Sequence, residues 1–131
     1  MKTGITPGTF DPITLGHIDI IKRASRVVDK LIVAVAKSES KNPIFPLEQR
    51  VSMASQALRD LDNVEVKGFE GLLVDFAKRN NANFLVKGLR AITDFEYEFQ
   101  QTALNSQMAP DIDTIFVMAP PQSMYLSSTM V

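Results

Sequence analysis

The chain has no cysteine and no tryptophan, and its only histidine is His17. Without cysteine there is no disulfide, no thiolate-held metal and no cysteine nucleophile. Neither sign of charge is in excess: 14 Lys+Arg stand against 15 Asp+Glu, for a formal net charge of −1. Such a chain lacks the global field that draws proteins onto nucleic acid or an anionic membrane, so neither is expected as a partner. Any anionic ligand must be held by a local cluster. Long apolar runs are missing too. None approaches the roughly 20 residues of a membrane-spanning helix, and the first residues carry no signal-peptide pattern. The expected location is the cytoplasm. There is no low-complexity linker and no internal repeat, and 131 residues suit a single domain over 1–131. A domain of about 150 residues buries roughly 68–70% of its unfolded surface, so a proper core is within reach.

What is present is an alternation of strand-like and helix-period runs. Thr3–Thr6 reads as a short strand ending at Pro7. Leu31–Ala36 is a continuous apolar run, as in a strand covered on both faces. Val64–Phe69, Phe84–Lys87 and Thr114–Ala119 read as further strands. Between them, Ile20, Ile21, Ala24 and Val28 share one helical face. Leu47, Val51, Ala54, Leu58 and Leu61 recur at helical spacing. Leu72, Leu73, Phe76 and Ala77 form a third apolar face, and Thr93 or Asp94 caps a fourth helix with Phe95, Phe99 and Ala103 inward. The order predicts an α/β fold: a Rossmann-like, doubly wound, five-stranded parallel sheet with helices on both faces. Ligands of such sheets bind beyond the carboxyl ends of the strands, where the strand order switches. Polar punctuation falls there: Thr9–His17, Ser38–Lys41, Gly71–Leu73, Gly88–Arg90 and Ser127–Thr129.

The richest of these segments is Pro7-Gly8-Thr9-Phe10-Asp11-Pro12-Ile13-Thr14-Leu15-Gly16-His17. It joins the first strand to the first helix. Unpaired N–H groups at a helix start favour phosphate. Gly8 and Gly16 admit a close ligand, and His17 offers a hydrogen-bond donor there. Asp11 and Pro12 are expected to shape the loop, and nothing in the spacing requires Asp11 to hold a metal.

Thr14-Leu15-Gly16-His17 fits the pattern (Thr or His)-x-Gly-His, and with Pro7–Pro12 before it the chain resembles the nucleotidyltransferase superfamily that carries this signature. Within it, the chain is similar to the bacterial phosphopantetheine adenylyltransferase family over essentially its whole length. Lys41-Asn42-Pro43, Phe69-Glu70-Gly71-Leu72-Leu73, Gly88-Leu89-Arg90-Ala91, Asp94–Phe99 and Ser127-Ser128-Thr129 carry that narrower match.

The resemblance implies transfer of the adenylyl group of ATP to 4′-phosphopantetheine, giving dephospho-coenzyme A and pyrophosphate, by direct in-line attack. It implies His17, Lys41 and Arg90 as the catalytic charges, with His17 acting as an imidazolium or as a neutral donor. Thr9, Phe10, His17, Gly88, Leu89, Arg90, Glu98 and the run Ser123, Met124, Tyr125, Leu126, Ser127, Ser128 and Thr129 are implied at the nucleotide. Thr9, Lys41, Leu73 and Lys87 are implied at the acceptor. Mg²⁺ is expected on ATP rather than in a protein cage, coenzyme A as a possible inhibitor, and a homohexamer as the assembly.

The chain departs from the family at Thr6, usually aromatic; at Leu15, often asparagine; and at Lys87, often arginine. Lysine keeps the charge but loses the bidentate fork. The family also continues into a helical C-terminal segment, which is expected to be lacking from 1–131. Two other readings differ in class: a related nucleotidyltransferase with another acceptor, such as nicotinamide mononucleotide or phosphoglycerol, and a non-catalytic nucleotide-binding module.

Overall fold

The computed structural model describes residues 1–37, 44–89 and 112–118, with Leu89 described by its backbone alone. In chain order these residues form β1 (Thr3–Gly8), α1 (Leu15–Ser25), β2 (Lys30–Ala36), α2 (Leu47–Ala57), β3 (Val64–Phe69), α3 (Leu73–Arg79), β4 (Phe84–Leu89) and β5 (Asp113–Met118). The five strands make one parallel sheet in the order β3-β2-β1-β4-β5. Strand order therefore reverses beside β1, as a doubly wound sheet requires.

Both faces of the sheet are covered. On β2, Ile32 and Ala34 pack towards α3 residues Val74, Phe76 and Ala77. Leu31, Val33 and Val35 alternate onto the other face, with Ile21 and Ala24 of α1 and with Leu58 just past α2. That two-sided burial explains why the strand reads as an unbroken apolar run. The stripe read on the second helix faces the core, although α2 ends at Ala57 and Leu58 and Leu61 follow it: Ala54 and Leu58 are buried, and Leu47, Val51 and Leu61 pack against the cluster that holds Leu58.

Three boundaries differ from expectation. β1 continues through Pro7 to Gly8, because β2 keeps pairing with it up to Gly8↔Val35; proline's fixed φ suits an extended strand and removes only a donor. β4 runs two residues past Lys87, paired with β5 through Gly88↔Val117 and Leu89↔Met118. Leu72 is not on the inward face of the third helix; it is the N-cap of α3 and 53% exposed. The expected helix after Thr93 or Asp94 lies outside the described residues.

The strand ladder marks the opening in the sheet. β1 and β4 pair only at Gly4↔Phe84 and Ile5↔Leu85, while β1–β2 and β4–β5 are paired along their full lengths. The central pair thus loses its ladder towards its carboxyl ends, at the point where strand order switches.

Candidate active site

The loop after β1 is held from three sides. Phe10 takes a positive φ of 48°, unusual for a bulky residue. Its ring is buried and folds back over Gly8, where a Cβ would stand 2.7 Å from the ring edge. The same ring meets His17 edge-on, with centroids 5.0 Å apart and planes at 74°. Phe10 is thus an anchor for the loop. Asp11 shapes the loop, as its position suggested. Its two carboxylate oxygens accept the N–H groups of Ile44 and Phe45, each at 2.8 Å.

Helix α1 begins in a reciprocal cap. The Thr14 hydroxyl accepts the His17 N–H at 3.3 Å, and His17 Nδ1 accepts the Thr14 N–H at 3.0 Å. A backbone amide can only donate. In that role Nδ1 is an acceptor and the ring proton falls to Nε2; the Thr14 hydroxyl also lies 3.1 Å from Nδ1, as donor or acceptor according to the tautomer. The first-turn N–H groups of Leu15 and Gly16 have no intrahelical acceptor. Among the described residues a Cβ on Gly16 would meet only the Thr14 hydroxyl, at 3.7 Å, so they leave the space over this turn open.

Gly88 has a different reason to be glycine. A Cβ there would lie 2.4 Å from Ile20 Cδ1 and 2.6 Å from Ile20 Cγ2. Ile20 of α1 rests directly on β4 at this point. Lys87, half-buried, precedes it and points to the opposite face, since strand side chains alternate.

A cavity of about 820 Å³ opens at the carboxyl ends of β1, β2 and β3, lined by Thr9, Ala36, Lys37 and the segment Phe69–Leu73. Gly71, at φ 85°, turns the chain around its edge. Leu72 and Leu73 give it an apolar wall. On its rim Lys37 and Glu70 pair at 3.2 Å, both well exposed.

Sequence reasoning missed Arg50. It lies three residues after Leu47 and four before Ala54, on the core-facing stripe of α2, and it is only 2% exposed. Its Nε donates to the Phe45 carbonyl at 3.0 Å, and its Nη1 donates to the carbonyls of Thr9 and Ala36 at 2.9 Å each. A charged residue inside an apolar stripe was the available signal.

Of the residues expected to act, Thr9, Phe10 and His17 share the β1–α1 loop and helix start, and Thr9 shares the cavity with Leu73. Gly88 lies under α1, and Lys87 and Leu89 flank it at the end of β4. Lys41, Arg90, Glu98, Ser123, Met124, Tyr125, Leu126, Ser127, Ser128 and Thr129 lie outside the described residues.

Residues 5–131 match the family described as cytidylyltransferase-like. The whole chain is 51% identical to the phosphopantetheine adenylyltransferase of Hahella chejuensis, covering 81% of that protein. It is 50% identical to the enzyme of the same name from Alkaliphilus metalliredigens, covering 83% of it. Among solved structures, 92% of the chain superposes on 97% of a lipopolysaccharide core biosynthesis protein from Thermoplasma volcanium, with a TM-score of 0.65 at 22% identity. With the same TM-score, 88% of the chain covers 37% of a bifunctional NMN adenylyltransferase/ADP ribose pyrophosphatase from Francisella tularensis at 20% identity. The two structural likenesses speak for the fold.

Proposed function

The chain belongs to the phosphopantetheine adenylyltransferases of the cytidylyltransferase-like family, and we infer that it transfers the adenylyl group of ATP to 4′-phosphopantetheine in coenzyme A biosynthesis. The products are dephospho-coenzyme A and pyrophosphate. The observation that carries this reading is the sharing of Thr9 between the cavity and the loop that leads into His17. A long, mostly apolar acceptor with a terminal phosphate fits that arrangement. Its arm lies along Leu72 and Leu73, and its phosphate reaches Thr9. The nucleotide approaches from the open first turn of α1.

An oxygen of the acceptor phosphate attacks the α-phosphorus of ATP. The new O–P bond forms as the bond to the β-phosphate oxygen breaks, and pyrophosphate leaves. A phosphate monoester is already nucleophilic at neutral pH, so no protein nucleophile and no general base is required. The protein acts by positioning and by neutralising charge. The Nε2–H of His17 donates to an oxygen of the α-phosphate as charge builds there. One such oriented donor is worth about 2.7–4 kcal/mol in the transition state. Lys41 and Lys87 hold the acceptor phosphate and Arg90 the triphosphate, with Lys41 also reaching the α-phosphate. Gly88, Leu89, Glu98 and the Ser123–Thr129 run face the nucleotide.

Asp11 uses both its oxygens on backbone amides. Among the described residues no three His, Cys, Asp or Glu converge as metal ligands. Mg²⁺ comes in on the triphosphate as part of the substrate, held by phosphate oxygens and water. We place the enzyme in the cytoplasm as a homohexamer, with coenzyme A as an inhibitor. No helix among the described residues is long and apolar enough to cross a membrane.

The test is pyrophosphate release from Mg-ATP with 4′-phosphopantetheine, with His17→Ala beside the parent. Acceptor-dependent release that falls by about 10²–10³ in the variant, with ATP affinity little changed, is expected. Equal losses in turnover and ATP affinity would remove His17 from the transition state. Release that needs a different acceptor would move the chain to another activity.

A further inference from the structure

Arg50 heads the fully buried side chains in volume among the described residues, and it is charged. A guanidinium keeps its proton under all ordinary conditions. Among the described residues no carboxylate pairs with it; backbone carbonyls of Phe45, Thr9 and Ala36 solvate it instead. Burying a cation in this way costs the fold far more than burying a neutral clamp. A glutamine amide donates two hydrogen bonds without the charge and would leave one of the three carbonyls unheld.

The carbonyls it holds are informative. Thr9 ends the β1 side of the cavity and Ala36 the β2 side, and both line it. One nitrogen, Nη1, bridges the two. The third carbonyl, that of Phe45, belongs to the segment whose amides bind Asp11. Asp11 and Arg50 thus tie the β1–α1 loop to the chain entering α2 from opposite ends: one by its acceptors, the other by its donors.

We propose that Arg50 is a positioning residue for the acceptor: it fixes Thr9 against Ala36 across the carboxyl ends of β1 and β2, and its charge lies behind the cavity wall where the acceptor's phosphate binds. The proposal rests on the cavity being the acceptor site. The acceptor phosphate supplies a counter-charge that the described residues do not. Arg50 touches no reacting atom and acts through the Thr9 backbone.

The experiment compares the parent with Arg50→Lys and Arg50→Met in steady-state kinetics for both substrates. Lysine retains the charge and cannot span the carbonyls; methionine loses both. The KM for 4′-phosphopantetheine is expected to rise about tenfold or more in Arg50→Met and less in Arg50→Lys, while kcat falls in both and the KM for ATP stays within about twofold. A structural role alone would lower the melting temperature and leave both KM values of the folded fraction at parent levels, which overturns the proposal. A second measurement needs no substitution. The Arg50 Nε–H resonance of the ¹⁵N-labelled parent is followed while 4′-phosphopantetheine is added. A saturable shift is expected, and a signal unmoved at saturation overturns the proposal even where both variants fail to fold. A parent that neither binds nor uses 4′-phosphopantetheine refutes the acceptor reading and this proposal together. An active parent with unaltered variants refutes this proposal alone.

Discussion

His17 Nδ1 accepts the backbone N–H of Thr14 at 3.0 Å and lies 3.1 Å from the Thr14 hydroxyl, so the ring that caps the helix is also oriented by it. A proton on Nδ1 would set two donors face to face. The sequence left imidazolium and neutral donor open; Nδ1 as acceptor of the Thr14 N–H favours a proton on Nε2, while the Thr14 hydroxyl, 3.1 Å from the same nitrogen, could accept a proton from it. The ¹⁵N shifts of the ring nitrogens check this directly. At neutral pH Nδ1 is expected in the unprotonated range and Nε2 in the protonated range. The reverse pattern, or two protonated nitrogens, would remove the basis for Nε2–H as the phosphate donor.

The contact between Gly88 and Ile20 predicts a coupled pair. Gly88→Ala forces a methyl against Ile20, and overpacking of this kind costs about 1–3 kcal/mol. Where the Ile20 side chain does not turn aside, the strain passes to the helix that carries His17. Turnover is expected to fall along with stability. Ile20→Ala makes room, so the double variant should recover much of the loss, and a double-mutant cycle on unfolding free energy reads the coupling. Additive losses would mean that α1 does not bear on β4 at this point.

The parallel sheet was legible because Leu31–Ala36 carries its two-sided burial openly, and because each later strand is set off by a helical stripe. The β1–α1 loop was legible because glycine, proline and the lone histidine crowd into it. Less was visible where one residue type serves two purposes. Gly88 reads as room for a ligand, and in the fold that room is filled by Ile20. Phe10 reads as a ligand contact, and its ring is packed into the core. Arg50 was hidden because its partners are backbone carbonyls of distant segments, which no side-chain pattern encodes. Leu72 was misplaced because an apolar residue at a cavity lip has the same spacing as one in the core.

Away from the site, Glu65 on β3 lies 3.1 Å from Lys30 and 3.6 Å from Lys67. The hydrogen bond from Lys30 leads in holding its carboxyl below the ordinary 4.5, against partial desolvation, with the charge of Lys67 adding to it. A lowered folded-state value means stability that is present above the unfolded pKa and lost as pH falls through the folded one. The groups are almost half exposed, so solvent screening keeps the contribution to about 0.2–1 kcal/mol. Glu65→Gln should therefore be slightly less stable than the parent at neutral pH. The gap should close in denaturation curves taken below the carboxylate range, with turnover at neutral pH unaffected. A gap that persists in acid would point to packing rather than charge.

Gly16 separates what the fold needs from what a ligand needs. It lies in the first turn of α1, and among the described residues nothing but the Thr14 hydroxyl approaches the site of a Cβ. Glycine inside a helix is less stable than alanine by roughly 0.5–1 kcal/mol. The protein therefore carries a destabilising residue that its own packing does not explain. Gly16→Ala should melt at the parent temperature or higher. If triphosphate oxygens approach the Leu15 and Gly16 amides, the added methyl stands in their path, so ATP affinity and turnover should fall while stability does not. Thermal melting beside ATP titration reads both at once. Undiminished ATP binding in a stabilised variant would place the nucleotide away from the start of α1 and leave His17 as a cap alone.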